Sequence, residues 1–403
     1  MTDRALKFVV FVLAAVLASM LLTCSSCKES QLETVPQAEL PSGVTDKLDR
    51  LVSALMEQNN IPGAIAGVWV NGEGAWIKAA GIADLQEGTA EQADLHFRIG
   101  SITKTFTATV ILQLVDEGKL SLGDKLEEYV GGFKYGDQIT ILQLCNNTSG
   151  IFNYGDAPGL VEENVSHPQR HWSPEELIDL ASSGEPSFPP GTGWKYSNSN
   201  FLLLGVIIEQ VTGNDLGSEI EARITQPLGL DSTFLPADCE FGGPHSHGYV
   251  QWDGRWGKTE PAGLDDVTYW DPSHAWAAGG MISTLEDLRV WAKALATGEL
   301  LSEEMQRERL AWVQMPGGES LDMKYGMGIF SMGGLIGHDG MLWGYNTGMY
   351  YYPEHDATIV VFFNRAMDQK DGEWVAYDIP FTMAAASILF PGEMPWDTQV
   401  NDR

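Results

Sequence analysis

Segments with strand character stand near both ends of this chain, and helical periodicity fills most of the space between them. That distribution leaves few folds open. Near the beginning, residues 64–70 are apolar, Asn71-Gly72-Glu73-Gly74 reads as a turn, and residues 75–80 return, which predicts a hairpin. Strand patterns come back at residues 325–330, 335–338, 348–352 and 358–363. Helical spacing occupies residues 103–117, 174–181, 199–211, 216–226, 284–295 and 302–312, with a last helix expected at 374–388. Strands so segregated predict an α/β (α+β) fold. Its antiparallel sheet is built from the two chain ends and flanked by helices, with a mostly helical subdomain inserted at about residues 119–275.

With 403 residues, 44% of them hydrophobic, the chain can bury one large core. Cys145 and Cys239 show no metal-ligand spacing, and a domain of this size needs no disulfide. Acidic residues outnumber basic ones by 55 to 24, a formal net charge of −31. Such a surface repels phosphate backbones, and no local cluster of Lys and Arg offsets it, so nucleic-acid binding is not expected.

The first residues follow a different pattern. Arg4 and Lys7 precede an apolar stretch over residues 8–22, the arrangement of an export signal. It falls short of the ~20 residues that comfortably span a bilayer. It ends in Leu21-Leu22-Thr23-Cys24, followed by Ser25-Ser26-Cys27, which resembles the lipobox of bacterial lipoproteins. A signal over residues 1–23 with lipidation at Cys24 is therefore expected. Cys27 is the second candidate, and a plain cleaved signal or an uncleaved anchor are the alternatives. A polar, proline-bearing tether over residues 24–43 and one folded domain over residues 44–392 should follow. The protein would then sit in the cell envelope, anchored to the membrane on its periplasmic or extracellular face.

Three short constellations carry chemistry. In Ser101-Ile102-Thr103-Lys104, a serine and a lysine three residues apart share one helix face, so the amine can reach the hydroxyl. A desolvated, neutral lysine can take the serine proton, and a helix N-terminus favours the developing alkoxide. Taken alone, an ordinary helix cap is the plainer account of Ser101. Tyr196-Ser197-Asn198 is the chain's only Tyr-x-Asn. Its phenol can relay a proton near a lysine, and its carboxamide can orient a substrate amide; otherwise it is a packed loop with Asn198 capping a helix. His338-Asp339-Gly340, the only His-x-Gly, ends an expected strand, where glycine admits a closely approaching substrate. Asp-Gly more often makes a hairpin turn.

In this order and context the motifs resemble those of the serine β-lactamase-like hydrolases. These include class C β-lactamases, penicillin-binding DD-peptidases of low molecular mass, D-aminopeptidases and related esterases. The resemblance covers roughly residues 45–390. Besides the three motifs it rests on Phe97-Arg98-Ile99-Gly100 ahead of Ser101, on Ala278-Gly279-Gly280-Met281, and on Gly344-Tyr345-Asn346. Its closest form is the Streptomyces-type DD-carboxypeptidase, whose third motif also begins with histidine. The resemblance implies an acyl-enzyme on Ser101, with Lys104 as general base. Tyr196 would pass the proton to the leaving group and activate the deacylating water, and Asn198 would bind the substrate amide. The backbone N–H groups of Ser101 and Met341 would form the oxyanion hole. His338 would sit beside Tyr196 and contact the substrate's acid end, with Asp339 and Gly340 also along the substrate. No metal or organic cofactor is implied. The expected substrate is a peptidoglycan D-amino-acid peptide, then a small carboxylic ester, then a β-lactam. A non-catalytic penicillin-binding sensor or scaffold is the alternative of another kind.

Two departures narrow this expectation. β-Lactamases carry lysine where His338 stands and a small residue such as threonine where Asp339 stands, so Asp339 adds negative charge if it faces the cleft. Residues 325–341 contain no Lys or Arg, so the arginine that binds a terminal carboxylate in the carboxypeptidases has no counterpart here. Phe152, Tyr154, Trp194, Trp276, Trp343 and Tyr345 crowd the expected rim. Most should pack in the core, and the few lining the cleft would favour an uncharged ester or amide.

Overall fold

The two apolar ends of the chain meet in one sheet. The computed structural model describes residues 38–252, 263–367, 369–370 and 373–397. The expected signal, Cys24 and most of the expected tether lie outside the described residues. Nine strands form the main sheet: β1 (Gly63–Val70), β2 (Gly74–Asp84), β3 (Thr89–Ala90), β4 (Val313–Gln314), β5 (Met323–Tyr325), β6 (Phe330–Met332), β7 (Leu335–Leu342), β8 (Tyr345–Tyr352) and β9 (Ala357–Phe363). Their spatial order is β3-β2-β1-β9-β8-β7-β6-β5-β4. The join between the chain ends is the antiparallel pair β1–β9, in which Ala64 faces Phe363 and Val70 faces Ala357.

Five helices frame this sheet: α1 (Ser42–Gln58), α2 (Thr103–Asp116), α3 (Asn198–Thr212), α4 (Leu285–Thr297) and α5 (Asp378–Leu389). Alternation along β9 assigns them to faces. Val360 and Phe362 enter the apolar cluster that holds Leu288 and Trp291 of α4, with Phe106 of α2 and Phe201 of α3. Val361 and Phe363 enter the cluster with Leu48 of α1 and Phe381 of α5. A strand covered on both faces must be apolar throughout, as Ala-Thr-Ile-Val-Val-Phe-Phe nearly is. Burying each large side chain there contributes about 1.5–3 kcal/mol. The region expected as a helical insertion holds α3 and several shorter helices, plus a small strand pair, Tyr249–Gln251 with Leu264–Asp266.

Several boundaries differ from expectation, each for a local reason. The folded body begins inside the expected tether: the Leu40 amide donates to the Ala75 carbonyl at 3.1 Å, Leu40 is buried, and α1 starts at Ser42. It also runs past residue 392, because Met394 and Trp396 are buried. The strand expected over residues 325–330 is broken into β5 and β6. The intervening amides of Met327 and Gly328 bond to the carbonyls of Arg309 and Cys145 instead of to a neighbouring strand. The last helix starts at Asp378, four residues later than expected. The Asn346 side chain captures the amides of Tyr377 and Asp378, at 2.7 and 2.9 Å, and sets its first turn.

Candidate active site

Ser101 lies in the 3₁₀ turn Gly100–Ile102 that leads directly into α2, and Lys104 follows one turn later. Strand β7 crosses this turn at very short range, which two glycines make possible. A Cβ on Gly340 would stand 2.0 Å from the Ile99 carbonyl oxygen and 3.1 Å from the Ser101 amide nitrogen. A Cβ on Gly100, whose φ is +50°, would stand 2.6 Å from the Met341 amide nitrogen. The backbone amides of Ser101 and Met341 therefore become neighbours, two donors where a carbonyl oxygen could gather charge. The His338-Asp339-Gly340 segment is the middle of a strand, not the turn that Asp-Gly suggests on its own.

Lys104 is wholly buried, with Nζ 2.9 Å from Ser101 Oγ and 2.5 Å from the Ala278 carbonyl oxygen. It also faces the Tyr196 ring at 4.9 Å. Burial lowers its pKa to about 7, against a smaller upward pull from Asp339. Near neutral pH the amine can thus lose its charge. An N–H then serves Ala278, and the lone pair can face the serine hydroxyl.

Tyr196 and Asn198 are brought in by a residue that no motif flagged. Asn147 adopts a left-handed backbone (φ 62°), a conformation asparagine tolerates better than most residues. Its side-chain oxygen accepts from the Ser197 amide at 3.2 Å and from Asn200 Nδ2 at 2.8 Å, while its carbonyl accepts from the Lys195 amide at 3.1 Å. The Tyr196 loop hangs on these bonds. The Tyr196 hydroxyl is hydrogen-bonded with Ser101, and desolvation pushes its pKa well above the usual phenol value. It therefore stays a phenol. The Asn198 amide donates to Asn153 Oδ1 at 3.0 Å, and its side chain lines the cleft.

His338 is buried beside Tyr196, with ring centroids 6.3 Å apart. Its hydrogen bonds go elsewhere. Nδ1 is 2.6 Å from the Asp339 carbonyl oxygen, which can only accept, so that nitrogen carries a proton. In the neutral ring Nε2 accepts from the Tyr325 hydroxyl at 3.1 Å. His338 thus acts on Tyr196 through the packing of Tyr325, whose ring meets Tyr196 edge-on at 6.2 Å. Like Asn147, Tyr325 was visible in the sequence only as one more aromatic residue near a strand.

These groups open onto a cleft of about 580 Å³. One part of its wall is Trp194, Met315, Met323 and Phe330; another is Leu160, Val161, Trp343 and Met367. Of the six aromatic residues expected at the rim, Tyr154, Trp194 and Trp343 line the cleft. Tyr345 is buried elsewhere and donates to the Ser246 carbonyl at 2.9 Å. The sequence reading missed His274. It also faces the cleft, and desolvation lowers its pKa to about 4, so it stays neutral. No group of His, Cys, Asp and Glu among the described residues could hold a metal ion. Ser101, Lys104, Tyr196, Asn198, His338, Asp339 and Met341 converge; Gly340 serves by its missing side chain.

The chain is 26% identical to penicillin-binding protein 4* of Bacillus subtilis over 362 residues, 86% of this chain and 77% of that protein. It is 25% identical to a D-aminopeptidase of Brucella canis over 370 residues, covering 91% of this chain and 66% of that one. The solved D-stereospecific amidohydrolase from a Streptomyces species superposes with a TM-score of 0.74 at 31% identity, over 86% of this chain and 99% of that one. The Beta-lactamase family model matches residues 48–378, and the chain belongs to that family of serine hydrolases.

Proposed function

We propose that this protein hydrolyses amides or short peptides of D-amino acids through an acyl-enzyme on Ser101. The observation that carries this reading is the buried Lys104 amine, 2.9 Å from Ser101 Oγ and able to be neutral near pH 7. In acylation Lys104 takes the Ser101 proton as Oγ bonds to the substrate carbonyl carbon. The charge that develops on the carbonyl oxygen meets the amides of Ser101 and Met341. Tyr196 gives its proton to the departing nitrogen and regains one from the Lys104 ammonium. Water then enters by the reverse relay, and the carboxylic product leaves Ser101 free. The D-amino-acid preference is supported by the names of the D-aminopeptidase and the D-stereospecific amidohydrolase. An esterase, EstB of Burkholderia gladioli, is 30% identical over half of this chain and 55% of that protein, which keeps a small ester as the second reading.

The test uses the full chain and its Ser101→Ala variant with D-phenylalanine p-nitroanilide, p-nitrophenyl butyrate, a tripeptide ending in D-Ala-D-Ala and a chromogenic cephalosporin. Release of p-nitroaniline is expected, with an adduct on Ser101 in intact-mass spectra that the variant lacks. Turnover of the ester alone would move the assignment to an esterase. Absence of both turnover and adduct would leave the sensor or scaffold.

The pattern of residues 4–27 supports export and a lipid anchor on Cys24 at the outer or periplasmic face. Release of a Cys24→Ala variant from the membrane fraction is the expected outcome, and its retention would remove that assignment.

A further inference from the structure

The charge of the cleft is one-sided. Among the described residues its wall carries Asp156, His274, His338 and Asp339, and no Lys or Arg. Lys104 stands behind Ser101, buried and occupied with it. Lys195 already meets Asp156 at 3.8 Å. Among the described residues the basic atom within ion-pair range of Asp339 is His338 Nδ1 at 3.4 Å, and its proton points to the Asp339 carbonyl at 2.6 Å. On the same face as the Asp339 side chain, over its cross-strand partner Gly348, Asp378 is fully buried, and its side chain accepts from Asn346 at 2.8 Å. Desolvation, and then the charge of Asp339, push the Asp378 carboxyl well above the usual carboxylate range.

Position turns this charge into selectivity. Asp339 and Met341 alternate along β7, so their side chains leave the same face and their Cα atoms lie about 7 Å apart. A substrate carbonyl held at the Met341 amide puts its α-substituent one carbon away, within reach of the Asp339 carboxylate. A carboxylate there would be repelled, and an ammonium would gain a charge-assisted contact that is half shielded from water.

We infer that Asp339 binds the free α-ammonium of the substrate, so that the cleft takes amino-acid amides and peptides with an unblocked amine and disfavours N-acylated or carboxylate-bearing ones. This rests on the Ser101 reading above and deepens it.

The experiment compares D-phenylalanine p-nitroanilide with 3-phenylpropanoyl p-nitroanilide, which lacks only the amine, and with the N-acetyl derivative, on the full chain. The free-amine substrate should have the higher kcat/KM by at least about tenfold, one charged hydrogen bond. In Asp339→Asn the ratio should fall to within about threefold, mainly through KM. Equal turnover of all three by the unmodified protein, or an unchanged ratio in the variant, overturns the assignment. Calorimetric binding to Ser101→Ala reads the amine contact without turnover. D-phenylalanine amide should bind more tightly than 3-phenylpropanamide there, and equal binding rejects Asp339. Absence of turnover by the unmodified protein, with the binding preference kept in Ser101→Ala, would instead fault the acyl-enzyme reading alone.

Discussion

Lys104 and Glu91 are both buried ionisable groups, and burial moves both to about pH 7, one from above and one from below. Their surroundings separate them. Lys104 is 2.9 Å from a serine hydroxyl that lines an open cleft. Glu91 is locked among structural partners: it accepts from Ser246 Oγ at 2.5 Å and from Asn364 Nδ2 at 3.3 Å, tying a loop to the end of the sheet. A perturbed pKa by itself therefore marks burial. It marks chemistry only when a reacting atom can reach the group.

Two variants sharpen that contrast. The larger effect is expected at Lys104→Met, which keeps the stem but removes the base: kcat/KM should drop by roughly 10³, the usual range for a general base. A loss below tenfold, measured with the p-nitroanilide substrate, would take the base role from Lys104. A smaller effect is expected at Glu91→Gln. In the unmodified protein kcat/KM should rise about tenfold per pH unit below pH ~7 and level off above, as Lys104 loses its proton. Glu91→Gln should keep that limb. Stability should respond instead. The folded pKa of Glu91 is raised above its unfolded value, so its contribution is present below about pH 4.5 and is lost as pH rises through about 7. The variant lacks this loss, so its Tm relative to the unmodified protein should increase between pH 5 and pH 8. Parallel Tm curves would mean that Glu91 titrates as an ordinary carboxylate.

Much of the site was legible because its chemistry is local. Ser101 and Lys104 are one helical turn apart, and helix geometry alone puts them on a shared face. The strand patterns were legible too, since two-sided burial demands apolar runs such as Ala-Thr-Ile-Val-Val-Phe-Phe. Contacts between distant segments were not. Asn147 reads as an ordinary polar residue after a short helix, yet it holds the Tyr196 loop through three hydrogen bonds. The histidine of the third motif was expected to serve Tyr196 and the substrate's acid end. It bonds to Tyr325 instead, because strand β5 brings that hydroxyl to Nε2. Tyr345, expected near the rim, is held in the core by the Ser246 carbonyl.

The sequence by itself determined the periodicities, the shared face of Ser101 and Lys104, and the pairing of the chain's ends, because each depends on spacings of a few residues or on the need to bury apolar strands. Only the tertiary structure decided which way Asp339 faces, where His338 sends its hydrogen bond and how far the Lys104 ammonium is destabilised. Those follow from the desolvation and partners that each group meets, which depend on residues tens to hundreds of positions away.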